Sequence, residues 1–74
     1  SFRRLTYKER MELQQLEKDI AQLEAEQKIL EEQLCSGTLS VAELTEKSKC
    51  LPQLKDELDE KCMMWLELSD IETP

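Results

Sequence analysis

Mostly apolar residues recur at alternating intervals of three and four along the chain, and this spacing limits the possible fold more than any other feature. In the first half it runs through Leu13, Leu16, Ile20, Leu23, Gln27, Leu30 and Leu34. In the second half it runs through Leu44, Lys47, Leu51, Leu54, Leu58, Lys61, Trp65 and Leu68. Such alternation is typical of a coiled-coil seam, whose a and d positions face a partner helix. We therefore predict an all-α coiled coil.

Start and stop signals around the first seam delimit one helix. Thr6 and Glu9 have the spacing of a capping box, in which each residue satisfies a free backbone N–H of the other. We predict that the first helix spans about 7–35. The turn should follow at 36–39, where Gly37 tolerates the left-handed backbone that ends many helices.

The second seam begins with a capping box of its own, formed by Ser40 and Glu43. It predicts a second helix over about 41–69. Pro52 falls inside this helix, where it removes one backbone hydrogen bond. The proline therefore either kinks the helix or divides it into a piece over 41–50 and a piece that restarts at Pro52.

Two seams joined by a short turn predict a two-helix antiparallel hairpin, with residues 1–74 forming one domain. We predict the alignment in which the residue numbers of each facing pair add up to 74. Four layers are then apolar on both sides: Leu30/Leu44, Leu23/Leu51, Ile20/Leu54 and Leu16/Leu58. The same alignment gives three mixed layers, namely Glu9/Trp65, Leu13/Lys61 and Gln27/Lys47. Polar seam residues of this kind lower stability but can fix the alignment of the helices.

Composition argues against an enzyme. The 74 residues include one glycine and no histidine, so a glycine-rich phosphate loop and the commonest general base are both missing. Without a histidine, no serine or cysteine has the usual base that activates a nucleophile. We expect no catalytic residue, no metal and no cofactor within this domain.

The net charge of −7 is unevenly distributed. Residues 1–10 carry a balance of +3, whereas the remainder carries −10. The acidic body should repel nucleic acid, so the basic opening is the candidate nucleic-acid contact. Its basic residues are Arg3, Arg4, Lys8 and Arg10. The alternative is internal ion pairing, because the predicted alignment places Arg4 opposite Asp70 and Lys8 near Glu67.

Cysteine usage indicates a reducing compartment, and we expect a cytoplasmic protein. Cys35, Cys50 and Cys62 are odd in number and lack the CxxC spacing of zinc sites. The predicted hairpin separates them too far for a disulfide. We interpret them as buried or half-buried free thiols. No apolar run approaches the roughly 20 residues that a membrane-spanning helix needs, so no membrane contact is expected.

Apolar residues at the two chain ends exceed what one seam needs. We predict a docking face there, made by Phe2, Leu5, Tyr7, Met63, Met64, Trp65 and Leu66. An exposed patch of this kind commonly marks a partner site. The alternative is a local core, in which residues 2–5 fold back over Trp65.

Both ends resemble one protein family. The segment RLTYKERMEL at 4–13 resembles the LSYKEQRELE opening of the C-terminal coiled-coil domain of Uup-type ABC-F ATPases. The segment EKCMMWLEL at 60–68 is similar to the family's closing E-x-x-x-x-RWLEL, although Met64 stands where the family often has arginine. The resemblance implies a bacterial cytoplasmic protein with two upstream nucleotide-binding domains, which would hold ATP and Mg²⁺.

The resemblance also implies a function. It predicts a non-catalytic arm that contacts DNA or ribosomal RNA for the parent ATPase, with Arg4, Lys8 and Arg10 at the matching basic positions. The alternative is a structural or protein-interaction module that docks on the ATPase body or self-associates. We expect a monomer, although a short turn can also allow two chains to swap helices.

Overall fold

The computed structural model describes residues 3–72, which form two helices joined by a short turn. Helix α1 spans Tyr7–Leu34 and helix α2 spans Val41–Asp70. They pack side by side in opposite directions as a rod of 54 × 17 × 16 Å. The predicted all-α hairpin is therefore confirmed.

Both predicted capping boxes are present. The Glu9 N–H donates to Thr6 Oγ1 at 3.1 Å, and the Thr6 N–H donates to Glu9 Oε1 at 2.9 Å. Ser40 and Glu43 repeat this exchange at 3.2 Å in each direction. Each cap satisfies helix N–H groups that have no intrahelical partner, a contribution of about 0.5–2 kcal/mol.

The turn closes with local hydrogen bonds and one left-handed residue. The Cys35 N–H donates to Glu31 O at 3.1 Å, and Ser36 Oγ donates to Gln33 O at 2.7 Å. Gly37 has φ +75°, a backbone conformation that costs glycine little. Glycine thus lets the chain reverse direction where the sequence predicted it.

Pro52 does not interrupt α2. The helix is continuous across it, so the alternative of a break after Cys50 is wrong. Pro52 cannot donate to the carbonyl of Ser48, but Leu51 and Leu54 beside it are half-buried seam residues. Seam packing on both sides holds the backbone helical despite the missing bond.

The alignment of the helices differs from the prediction. Lys61 Nζ donates to Asp19 Oδ2 at 3.4 Å, whereas the predicted alignment placed Lys61 opposite Leu13. Lys47 Nζ donates to Gln33 Oε1 at 3.1 Å, whereas Gln27 was its predicted partner. In both cases the α1 residue that the lysine contacts lies six residues further along α1 than the predicted partner. The layers predicted for the total of 74 are therefore wrong.

A shift of one heptad, seven residues, accounts for these contacts and for the burial. It sets Lys61 opposite Ile20 and Lys47 opposite Leu34, each next to the α1 residue that the lysine contacts. It places Leu16 level with Trp65 and Leu23 level with Leu58, and Leu16 and Leu23 are only 5% and 7% exposed. Leu44 then lies beyond the end of α1, and it is 36% exposed. A seam repeats every seven residues, so such a shift still sets a against d positions, which the pattern alone does not forbid.

The residues before α1 fold back against the end of α2. The Arg3 N–H donates to Ile71 O at 3.2 Å, and the Leu5 N–H donates to a carboxylate oxygen of Glu72. These bonds bring Leu5 into the core, where it is 6% exposed. Leu5 is therefore not part of an exposed docking face, and this segment supports the local-core interpretation.

Candidate nucleic-acid interface and apolar groove

The four basic residues of the opening have different surroundings. Arg3 is engaged, because its Nη1 and Nη2 donate to Glu9 Oε1 and Oε2 at 2.7 and 2.8 Å. The Arg3 guanidinium, together with the Thr6 N–H, lowers the pKa of Glu9 to about 2. Arg10 is partly engaged through one bond from its Nη2 to Leu5 O at 3.2 Å.

Arg4 and Lys8 are exposed, and their side chains make no hydrogen bond or ion pair among residues 3–72. The predicted ion pairs with Asp70 and Glu67 are therefore not formed. Two cations of the opening keep their full capacity for an external anion, and Arg10 keeps most of its donors.

The position of Lys8 adds to this electrostatic character. Lys8 lies in the first turn of α1, where the helix dipole already presents partial positive charge. A lysine there is unfavourable by about 0.3–1 kcal/mol in the free helix. An anion at the start of α1 would interact favourably with Lys8 and the α1 dipole, whereas the end of α2, with Asp70, presents negative charge at the same end of the rod.

The remaining docking-face candidates are mostly exposed. Tyr7 is 77% exposed, Met63 57%, Met64 44% and Leu66 52%. Trp65 is half-buried, and Phe2 lies outside the described residues. The exposed members belong to both helices, so the apolar surface at this end is larger than a two-helix seam requires.

An open groove of about 500 Å³ runs between the helices beside this surface. Its floor is apolar, and it is lined by Glu17, Ile20, Ala21, Glu24, Cys62, Trp65 and Leu66. Sequence reasoning identified only the α2 side of this groove. The signal for the α1 side is the spacing i, i+3, i+4, i+7 of residues 17, 20, 21 and 24, which places them on one helix face.

The three cysteines are free thiols. Cys35 and Cys50 are exposed, contrary to the expectation of buried or half-buried thiols, because neither lies on the seam; Cys62 is half-buried. Within 3–72, no three or more Cys, Asp or Glu side chains lie together as ligands for a metal ion. In the same range, neither helix is both long and apolar enough to cross a bilayer.

Comparison with protein families identifies the family of this chain. The model of the ABC transporter C-terminal domain matches residues 4–70, which is most of the sequence. The chain belongs to this family. It is thus a C-terminal domain of an ABC transporter-family protein, and the two ends that resemble ABC-F proteins both lie within the match. No curated protein and no solved structure matches the chain.

Proposed function

We propose that this ABC transporter C-terminal domain is a non-catalytic arm of a cytoplasmic ABC-F ATPase of the Uup type. Its basic end contacts phosphates of DNA or ribosomal RNA on behalf of the parent. The nucleotide-binding domains of the parent hold ATP and Mg²⁺. The observation that carries this proposal is that Arg4 and Lys8, beside Arg10 at one end of the rod, have no side-chain partner within residues 3–72.

The chemistry of these side chains suits a phosphate backbone. Arginine presents a planar fork of donors that can bind phosphate through two parallel bonds, and lysine adds a compact charge. Contacts of this kind set position and affinity without reading bases. Phosphate contacts carry no sequence information, so we expect binding with little sequence preference.

The acidic body restricts how nucleic acid approaches. Residues 11–74 carry a balance of −10, so a phosphate backbone laid along the rod would be repelled. Glu67 and Asp70 of α2, and Glu72 after it, lie at the same end as the basic residues. The contact thus depends on the side chains of Arg4 and Lys8 and not on a net positive charge of that end. We therefore expect end-on contact, in which the rest of the hairpin projects away from the nucleic acid.

The test compares two doubly substituted variants of equal charge. Fluorescence anisotropy measures binding to a labelled DNA duplex and to a labelled ribosomal RNA helix at low salt. Arg4→Gln with Lys8→Gln should weaken binding by about tenfold or more. Lys28→Gln with Lys55→Gln changes exposed lysines elsewhere, and it should weaken binding by less than about twofold. Equal losses in both variants would refute a specific basic end.

A second candidate function is a protein-interaction module, and the exposure of Met63, Met64 and Leu66 favours it. Met63 and Leu66 are one helical turn apart on α2, and exposed large apolar side chains on so small a rod suit contact with a partner. Self-association is the less favourable form, because two copies with a charge of −7 each repel one another. Sedimentation equilibrium at low and high salt measures this, with a monomer expected in both.

A further inference from the structure

We infer that the groove between the helices is a docking site for a positively charged amphipathic helix of a partner protein. This inference goes beyond nucleic-acid contact, because it concerns a different surface and different residues. The groove is about 500 Å³ in volume and open to solvent, and its floor is formed by Ile20, Ala21, Cys62, Trp65 and Leu66.

The shape of the groove favours a helix as the occupant. Two packed helices leave a channel along their length, into which the side-chain ridge of a third helix fits. On α1 the lining extends from Glu17 to Glu24, which is two helical turns or about 10 Å. An apolar stripe with anchors at i, i+3, i+4 and i+7 matches this length.

Charge determines which helix fits. Glu17 and Glu24 lie at the edge of the apolar floor, and within the described residues their side chains have no hydrogen-bonding or ionic partner. Lysines or arginines beside the apolar stripe of the occupant would pair with these carboxylates. A second copy of this chain is a poor occupant, because its own net charge is −7.

Two groove residues provide direct readouts. Trp65 is the only tryptophan in the chain, so its fluorescence emission reports on the groove. Cys62 becomes the only thiol after Cys35→Ser and Cys50→Ser, two substitutions at exposed positions outside the groove. Its rate of alkylation then measures how well an occupant covers the floor.

The probe is a tryptophan-free helical peptide of about four turns, with one leucine stripe flanked by lysines. Its control has the same stripe flanked by glutamates. The lysine peptide should shift Trp65 emission to shorter wavelength and protect Cys62 from alkylation, and the glutamate peptide should do neither. Equal effects of both peptides, or no effect of either, would overturn the inference. So would a concentration-dependent dimer that protects Cys62 without peptide, because a second copy would then be the occupant.

Substitutions test whether the lysine peptide binds in the groove. Glu17→Gln with Glu24→Gln should weaken the lysine peptide by about three- to tenfold, as expected for two exposed ion pairs. Glu12→Gln with Glu60→Gln makes the same change in net charge outside the groove, and it should have less than half of that effect. Leu66→Asp should abolish binding while circular dichroism stays unchanged, because Leu66 is half exposed. Equal weakening by the two glutamine pairs would show that peptide binding is non-specific, and the groove would be rejected.

Discussion

At the scale of single residues, Glu9 joins the cap of α1 to the segment before it. Its carboxylate accepts from the Thr6 N–H and from both terminal nitrogens of Arg3. The cap was predictable because it depends only on a local spacing of residue types. The Arg3 contact was not, because Arg3 precedes the helix and its position depends on the fold-back onto Ile71.

The lowered pKa of Glu9 predicts a specific dependence of stability on pH. Folding lowers this pKa from 4.5 to about 2, so its contribution is fully present above pH 4.5 and is lost as the pH falls towards 2. Glu9→Gln keeps a cap acceptor but loses the charge. The melting temperature of wild type should exceed that of the variant above pH 4.5, and the difference should shrink towards pH 2.

Circular dichroism melts of both proteins from pH 2 to 7 measure this difference. The pKa of Asp19 is also lowered, mainly by its hydrogen bond from the Gln15 amide and then by Lys61. Hydrogen bonds from Ser40 lower the pKa of Glu43. Both groups are unchanged in the variant, so the comparison isolates Glu9. A difference that stays constant across the range would contradict the assignment.

At the scale of the helices, Pro52 shows packing overriding local preference. A proline in a helix interior is unfavourable by about 3 kcal/mol relative to alanine. The helix nevertheless continues through Pro52, whose own side chain is exposed. Residue preferences alone could not exclude a break in the helix at Pro52, because they take no account of the packing of the half-buried seam residues on either side.

We expect Pro52→Ala to raise the free energy of unfolding by about 1–3 kcal/mol, because the Ser48 carbonyl regains its donor. Urea denaturation followed by circular dichroism measures the change. The ellipticity of the folded protein should stay almost constant, because both flanks are already helical. A large gain in ellipticity would show that α2 is interrupted in solution.

The seam residues differ in burial according to the observed alignment. Leu16→Ala should cost about 2–5 kcal/mol, since Leu16 is 5% exposed and its loss leaves a cavity. Leu44→Ala should cost about 1 kcal/mol or less, because Leu44 is already 36% exposed. Urea denaturation of both variants gives the two values. Similar costs would instead favour the alignment in which Leu30 covers Leu44.

At the scale of the whole molecule, the pattern predicted the hairpin but not its alignment. Heptad periodicity fixes which faces meet, and it leaves shifts of seven residues open. The choice between them depends on polar contacts such as Lys61 with Asp19, and on how far α2 extends beyond α1 at the turn. The groove follows from the same alignment, which explains why its α1 side was missed.

Carbodiimide cross-linking tests the alignment directly, because it joins an amine to a carboxylate that it contacts. Peptide mass spectrometry should find Lys61 linked to Asp19, and Asp19→Asn should remove that link. Links from Lys61 to Glu9 or Glu12, without one to Asp19, would restore the alignment that places Lys61 opposite Leu13.

The central claim is that the basic end of this ABC transporter C-terminal domain binds phosphates, and the salt dependence of DNA binding tests it most directly. The logarithm of the binding constant falls with the logarithm of the salt concentration, with a slope of about −0.9 per phosphate neutralised on a duplex. Three available cations, Arg4, Lys8 and Arg10, predict a slope between about −2 and −3. A slope near zero, or no binding at low salt, would contradict the claim.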